Sequence, residues 1–291
     1  MQRREFMKIS ALGVMAMANV SLFANESVKT LNLGGVNLPF VGLGTLDIRG
    51  AEGQKAIESA LKLGYRLIDS AVMYGNEEIV GKAVKNSGIK RDEIIVTTKI
   101  YTNINKNGVK ETLLGSLKRS GLEYFDIYMF HRHGGSRTNE AWEAAVELKK
   151  QGLCKHLAVS NFTPEEVRDV CVNFKDEKPL INQILINPFD QKISAGVAHK
   201  ELGVALQSFS SFGGSGASVL GEQTLINIAK KHGKTPAQVV LIWLIQREIL
   251  TIPKSMSEKR QAENLAVFDF TLDANDMNEI AKMDRGQNFY Y

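Results

Sequence analysis

The sequence predicts a single (β/α)8 barrel whose floor is closed by an N-terminal β-hairpin. Short apolar segments with strand character occur eight times between Phe40 and Ile252. Helical stretches separate them, several end at a glycine, and the units together span about 260 residues. Continuous apolar strands alternating with helices mean a parallel sheet covered by helices. An open doubly wound sheet is the alternative. It needs a glycine-rich turn after its first strand, and Gly42-Leu43-Gly44-Thr45 does not run on to a third glycine.

The folded part begins at residues 31–38, where two short runs flank Gly34-Gly35, a hairpin signal. Residues 40–45 read as the first barrel strand and 52–63 as its helix, with Ala56, Ile57, Ala60 and Leu61 at helical spacing. Gly64 ends that helix, because glycine takes the left-handed cap without a Cβ clash. The next strands are 66–70 and 94–99. The helix–glycine–strand phrase returns at Gly121 before 126–131, at Gly152 before 156–160, and at Gly203 before 205–210. Residues 181–186 and 249–252 complete the eight.

Composition narrows the function classes. Hydrophobic residues make up 44% of the 291 and charged residues 23%, which excludes a disordered or low-complexity chain. Two cysteines exclude a disulfide scaffold, and Cys154 and Cys171 lack CxxC or zinc spacing; buried thiols are expected in preference to a disulfide. The net charge is +4, of which Arg3, Arg4 and Lys8 against Glu5 place +2 in the first 24 residues. The remainder is too nearly neutral to suggest nucleic acid or an anionic membrane as a partner.

Residues 1–24 are expected to be a signal peptide and 25–291 the barrel. The apolar run 11–23 is shorter than the roughly 20 residues that span a bilayer, so no stable membrane insertion is expected. Ala16-Met17-Ala18 and Ala24 offer cleavage sites. Arg3-Arg4 with Phe6 and Lys8 resembles the bacterial twin-arginine signal, which implies transient contact with the export machinery and a periplasmic location. A cytoplasmic location follows if the signal is unused. An amphipathic helix packed on the barrel is the alternative, but the run lacks polar residues at helical spacing.

In such a barrel, chemistry sits at the C-terminal ends of the strands. The second strand ends at Asp69 with Tyr74 five residues on, the third at Lys99 and the fourth at His131. Singly, each has an ordinary explanation: a cap, a loop aromatic, a solvated ammonium. Together they place an acid, a phenol, an ammonium and an imidazole around one rim. A nearby ammonium lowers a phenol's pKa from about 10 and makes Tyr74 a better proton donor. Asp69 can hold Lys99 charged, and His131 can orient a carbonyl. A proton donor beside a carbonyl needs a hydride source, so a nicotinamide is expected close by.

The motifs 69–77 (Asp-Ser-Ala-Val-Met-Tyr-Gly-Asn-Glu), Thr98-Lys99 and 126–131 resemble those of the aldo-keto reductase family over almost all of residues 31–284. The resemblance implies an Asp69–Tyr74–Lys99–His131 tetrad and NADPH-dependent reduction of an aldehyde, ketone or keto-sugar. It further implies that Ser160, Asn161 and Gln183 meet the nicotinamide amide and that Phe209 stacks on the ring. Ser210 and the backbone near Phe212 would meet the pyrophosphate. Lys254, Ser255 and Arg260 suit a 2′-phosphate, which favours NADPH/NADP+ over NADH, and Glu263 and Asn264 resemble adenine contacts.

The departures fall at the pocket. Arg132 stands where the family often has Trp, Leu46 where an aromatic is common, and Tyr101 where Trp is frequent. Arg132 points either to an anionic substrate or to a surface carboxylate partner. Ser211 in place of the family's Pro suggests a softer loop, to which Gly213-Gly214-Ser215-Gly216 adds, and aromatic residues 289–291 follow the last helix. A monomer is expected, with a small-molecule carbonyl compound as its partner. Two rivals remain: a non-catalytic NADP(H)-sensing subunit, and a metal-dependent hydrolase prompted by His131-Arg132-His133. His156, His199 and His232 fall away from strand ends, so no metal site is expected.

Overall fold

The computed structural model describes residues 29–102, 104–213 and 218–286. The expected signal peptide and twin-arginine motif, Gly214-Ser215-Gly216 and the aromatic residues 289–291 lie outside the described residues. The chain opens with β1 (Thr30–Leu33) and β2 (Val36–Pro39), then alternates β3 (Leu43–Gly44), α1 (Gly50–Leu63), β4 (Leu67–Asp69), α2 (Glu77–Asn86), β5 (Ile95–Ile100) and α3 (Lys106–Ser120). It continues with β6 (Phe125–Phe130), α4 (Thr138–Lys150), β7 (Cys154–Ser160), α5 (Pro164–Asn173), β8 (Ile181–Leu185) and α6 (Ile193–Leu202). The last elements are β9 (Ala205–Phe209), α7 (Gln223–His232), α8 (Pro236–Gln246), β10 (Leu250–Thr251), α9 (Glu258–Leu265) and α10 (Ala274–Ala281).

Strands β3 to β10 form one parallel sheet in sequence order. Its two ends meet through a parallel bridge between Val41 and Thr251, with Gly42 N donating to Thr251 O at 2.8 Å and Thr251 N to Phe40 O at 2.8 Å. The predicted barrel is therefore the observed fold. Its first strand is shorter than the predicted 40–45, and of the two glycines there Gly44 permits the close approach at the seam while Gly42 permits that to β4. A Cβ on Gly44 would lie 2.5 Å from Ile252 O, and one on Gly42 2.2 Å from a Leu67 methyl group. Among the described residues, two α-helices separate β9 and β10, one more than the simple repeat requires.

The hairpin pairs Thr30 with Pro39 and Leu33 with Val36. Gly34 (φ 56°) and Gly35 (φ 86°) both take positive φ, the twist that a two-residue hairpin turn needs. Its apolar side chains pack against Ile127, Ile181, Ala205 and Leu250, which plug the N-terminal end of the barrel. The larger core lies between strands and helices, and it buries Trp142 and Trp243 almost completely. Gly64, Gly121 and Gly203 cap α1, α3 and α6 in the left-handed conformation, as their positions predicted. Cys154 and Cys171 are buried free thiols, and burial pushes the Cys154 thiol up to about 12. Among the described residues no helix is long and apolar enough to cross a membrane.

Candidate active site

The C-terminal mouth of the barrel gathers the three strand-end residues and Tyr74. Lys99, on β5, is wholly buried and ion-paired to Asp69 Oδ1 at the end of β4. Its ammonium also donates to Ser70 O at 3.1 Å and to the Tyr74 hydroxyl at 3.3 Å. His131 follows β6, with its ring edge-on to Tyr74 at 6.2 Å between centroids. The strand–turn segment that delivers Tyr74 is braced from below. Ser70 Oγ donates to Asn76 Oδ1 at 2.7 Å, and Asn76 Nδ2 donates to Thr45 O and Ile48 O, tying this turn to the loop after β3. Glu77 accepts from Thr98 Oγ1 at 2.6 Å and from Arg119 Nε at 2.7 Å. Asn76 and Glu77 thus hold the frame on which the phenol and ammonium meet.

The electrostatics of the cluster follow from its burial. Burial works against the Lys99 ammonium, but Asp69 and Tyr74 outweigh it and hold its pKa above the ordinary lysine value. Burial raises the Tyr74 phenol and outweighs the attraction of Lys99, while Asp69 and Asp47 add to the rise. The expected net lowering of this phenol is therefore corrected: the ammonium acts in the predicted direction but desolvation is the larger effect. Tyr74 keeps its proton at neutral pH, with Lys99 in place to favour its loss. Burial, then Lys99, then Arg132 push His131 down to about 3, so its imidazole is neutral.

Around this cluster runs a connected set of amides. Gln183 Nε2, on β8, donates to Asp69 Oδ2 at 2.8 Å and to Gln207 Oε1 on β9 at 2.7 Å. Ser160 Oγ donates to Gln183 O, and Asn161 Nδ2 donates to His131 O and to Ser160 Oγ, each at 3.0 Å. Asn161 holds a positive φ of 60°, and its Oδ1 is buried without a hydrogen-bond partner, as is His131 Nδ1. An unpaired buried acceptor is costly unless a ligand satisfies it. The amide donor of a nicotinamide carboxamide has the right chemistry for Asn161 Oδ1, so the residues present fit that group. Gln183 has both amide hydrogens engaged, which leaves its carbonyl oxygen for the same purpose. Gln207 escaped the sequence reading; its signal is a long polar side chain in a short buried strand.

The remaining predicted residues lie along the rim from β9 to α9. Phe209 ends β9 half-buried, and Ser210 follows with a positive φ of 51° and its carbonyl accepting from Gly213 N at 2.9 Å. Phe212 packs against the larger core between strands and helices, and its carbonyl accepts from Val219 N. Ser211 does not loosen this turn as expected: it is buried, with Oγ bonded to Ser208 Oγ at 2.7 Å and Thr251 Oγ1 at 2.8 Å. Lys254 and Arg260 are exposed and form no ion pair among the described residues. Ser255 Oγ is engaged with the Ser257 backbone that starts α9. Glu263 accepts from Thr235 Oγ1 at 2.7 Å, and Asn264 is buried against the Tyr65 hydroxyl. Both side chains of the expected adenine pair thus have protein partners.

Other regions offer less. An open groove of about 640 Å³ lies at the hairpin end, but its Asp126 is already paired with Arg91 and Lys155 and accepts from Val96 N. His133 lies 3.3 Å from a Glu166 oxygen and edge-on to Phe162. Among the described residues no three His, Cys, Asp or Glu side chains cluster to hold a metal ion.

Comparison with known proteins agrees with this geometry. A sequence model described as the Aldo/keto reductase family matches residues 40–285. The chain is 38% identical over 266 residues to the methylglyoxal reductase DkgA of Escherichia coli, covering 91% of this chain and 96% of the relative. It is 34% identical over 266 residues to the glyoxal reductase of Bacillus subtilis, covering 90% and 94%. Among solved structures, an aldo-keto reductase from a Medee basin deep-sea metagenome library superposes with a TM-score of 0.85 at 36% identity, covering 91% of this chain and 97% of that one.

Proposed function

Since the chain belongs to the aldo/keto reductase family, we propose that it reduces small carbonyl compounds to alcohols with NADPH, using Tyr74 as the proton donor. The observation that carries this reading is the buried Asp69–Lys99–Tyr74 chain beside a neutral His131. A dihydronicotinamide held by Asn161 and Gln183 would supply the hydride that the carbonyl carbon needs. The Tyr74 hydroxyl gives its proton to the oxygen as charge develops there, and the Lys99 ammonium 3.3 Å away stabilises the phenolate left behind. Asp69 keeps Lys99 charged and aimed. Gln183 fixes the second oxygen of Asp69, so the carboxylate cannot swing away. His131, neutral across the physiological range, serves as a hydrogen-bonding group that orients the carbonyl.

Asn161 Oδ1 and the Gln183 carbonyl are assigned to the nicotinamide amide, and Phe209 to its ring. Lys254 and Arg260 are assigned to the 2′-phosphate, because both are exposed cations without a carboxylate partner among the described residues. Glu263 and Asn264 stay beside that site as supports of α9. The names of the relatives make methylglyoxal and glyoxal the first substrates to try. The test is consumption of NADPH with these dicarbonyls, with NADH as control. Turnover with NADPH supports the reading, and binding of the cofactor without turnover of any aldehyde or ketone overturns it. The residues ahead of the barrel are assigned to twin-arginine export, on the sequence alone.

A further inference from the structure

Next to His131 stands a guanidinium that proton donation and hydride transfer do not use. Arg132 is exposed at the mouth of the barrel. Its guanidinium carbon lies 4.5 Å from the centre of the Tyr101 ring, and its Nε donates to Tyr101 O at 3.2 Å. Tyr101 in turn stands edge-on to His131 at 5.4 Å. One face of the guanidinium and its Nε are thereby occupied, and the side chain is fixed beside the imidazole. Stacking on an aromatic ring leaves the Nη edge presented outward, the edge that binds a carboxylate or phosphate with two parallel hydrogen bonds.

A surface carboxylate could neutralise this edge, but among the described residues none does. Glu166, the acid near this turn, faces His133 instead. Asp47 is exposed on the loop after β3, close enough to act on the Tyr74 phenol. A negative charge, Asp47, thus acts on the phenol and a positive one, Arg132, on the imidazole beside it. Leu46 and Met73, chain neighbours of Asp47 and Tyr74, and Tyr101, beside His131, are exposed apolar side chains. A substrate bearing one negative charge has a preferred orientation in such a field: charge toward Arg132 and carbonyl toward Tyr74.

We infer that Arg132 is a specificity residue that receives an anionic group, carboxylate or phosphate, on the carbonyl compound reduced here. The inference rests on the proposed reductase reading and names its substrate class. A neutral dicarbonyl meets the phenol and imidazole but leaves the guanidinium unused.

The test compares matched pairs of aldehydes, with NADPH in excess. Butanal is set against succinic semialdehyde for a carboxylate, and glyceraldehyde against glyceraldehyde 3-phosphate for a phosphate. Wild type is expected to favour at least one charged member, and the preference to shrink as salt is raised. Arg132→Ala is expected to lower the charged-to-neutral ratio of kcat/KM by about tenfold, mainly through KM for the charged aldehyde. Arg132→Lys should restore part of the ratio. Which pair responds identifies the anionic group. If wild type turns over both members of each pair without preference, or if Arg132→Ala moves them equally, the inference falls and the reductase reading stands. If no aldehyde is turned over, both fall. Thermal melting of the variants checks folding, which an exposed side chain should not disturb.

Discussion

Tyr74 sits where two opposed effects meet, and the balance between them sets its pH behaviour. Reduction needs the neutral phenol, and burial lifts its pKa above the ordinary value of about 10. Activity in the reductive direction should hold through neutral pH and fall only on the alkaline side. Lys99 opposes the burial effect, so Lys99→Met should lower kcat and move the alkaline limb to higher pH. His131, pushed down to about 3, contributes no acid limb near pH 6.5; an imidazole limb there would show that it titrates. Tyr74→Phe should cost about 10²–10⁴ in kcat while leaving the melting temperature and NADPH binding close to wild type. Near-normal turnover in that variant would remove the tyrosine from the mechanism. Gln207 acts at one remove, through Gln183 on Asp69. Gln207→Leu should reduce kcat by about three- to tenfold and shift the alkaline limb, and Gln207→Glu should recover part of both because its oxygen can still accept. A loss of stability without a change in the pH profile would make Gln207 merely structural. Asp69, Lys99 and His131 were legible in the sequence because apolar runs announce where each strand stops, and Tyr74 because it follows Asp69 in the motif. The sign of the Tyr74 shift was not, because a sequence displays neighbouring charges but not desolvation. Gln207 was missed for a related reason: only the closed barrel shows which polar strand residue reaches Gln183 and, through it, Asp69.

At the scale of elements, the repeating helix–glycine–strand phrase made the order of strands readable, and Gly64, Gly121 and Gly203 cap their helices as read. The seam between first and last strands was not readable, because pairing across about 210 residues leaves no local pattern. There Gly44 permits close approach to Ile252, as Gly42 does to Leu67 on the other side. Gly44→Ala should force the seam apart, since the added carbon meets a backbone carbonyl that cannot rotate away. The expected cost is about 1–3 kcal/mol, measurable by urea unfolding, with lower activity because Thr45 and Asp69 lie directly beyond. Unchanged stability would show that the seam is looser than its spacing. Helix α9 offers a separate test. Arg260→Ala should weaken NADPH by about tenfold while altering NADH little, read by fluorescence titration. Equal weakening of both cofactors would mean that Arg260 does not meet the 2′-phosphate. The expectation for Glu263 and Asn264 rested on motif position. Their observed partners, Thr235 and Tyr65, come from distant parts of the chain and could not be seen in the motif.

The whole molecule separates its two ends by purpose. The hairpin and its apolar partners fill one end of the barrel, and the buried ion pair and open mouth occupy the other. Such a site must be assembled before it can hold a nicotinamide, because its residues come from at least five strands. That requirement bears on the proposed export. A route that carries folded proteins lets the barrel close, and load a cofactor, before it leaves the cytoplasm. Arg3-Arg4 ahead of the short apolar run 11–23 is the sequence basis for such a route. A cofactor retained outside would then need re-reduction by a redox partner, so sustained turnover and location are linked questions. Cell fractionation of wild type against an Arg3→Lys/Arg4→Lys variant separates them. The expected result is shortened protein in the periplasm for wild type and full-length protein in the cytoplasm for the variant. Full-length cytoplasmic protein in both would remove the export proposal and place the reductase beside the cell's own NADPH supply. Periplasmic protein in both would show that the apolar run directs export by another route, with no need for the paired arginines.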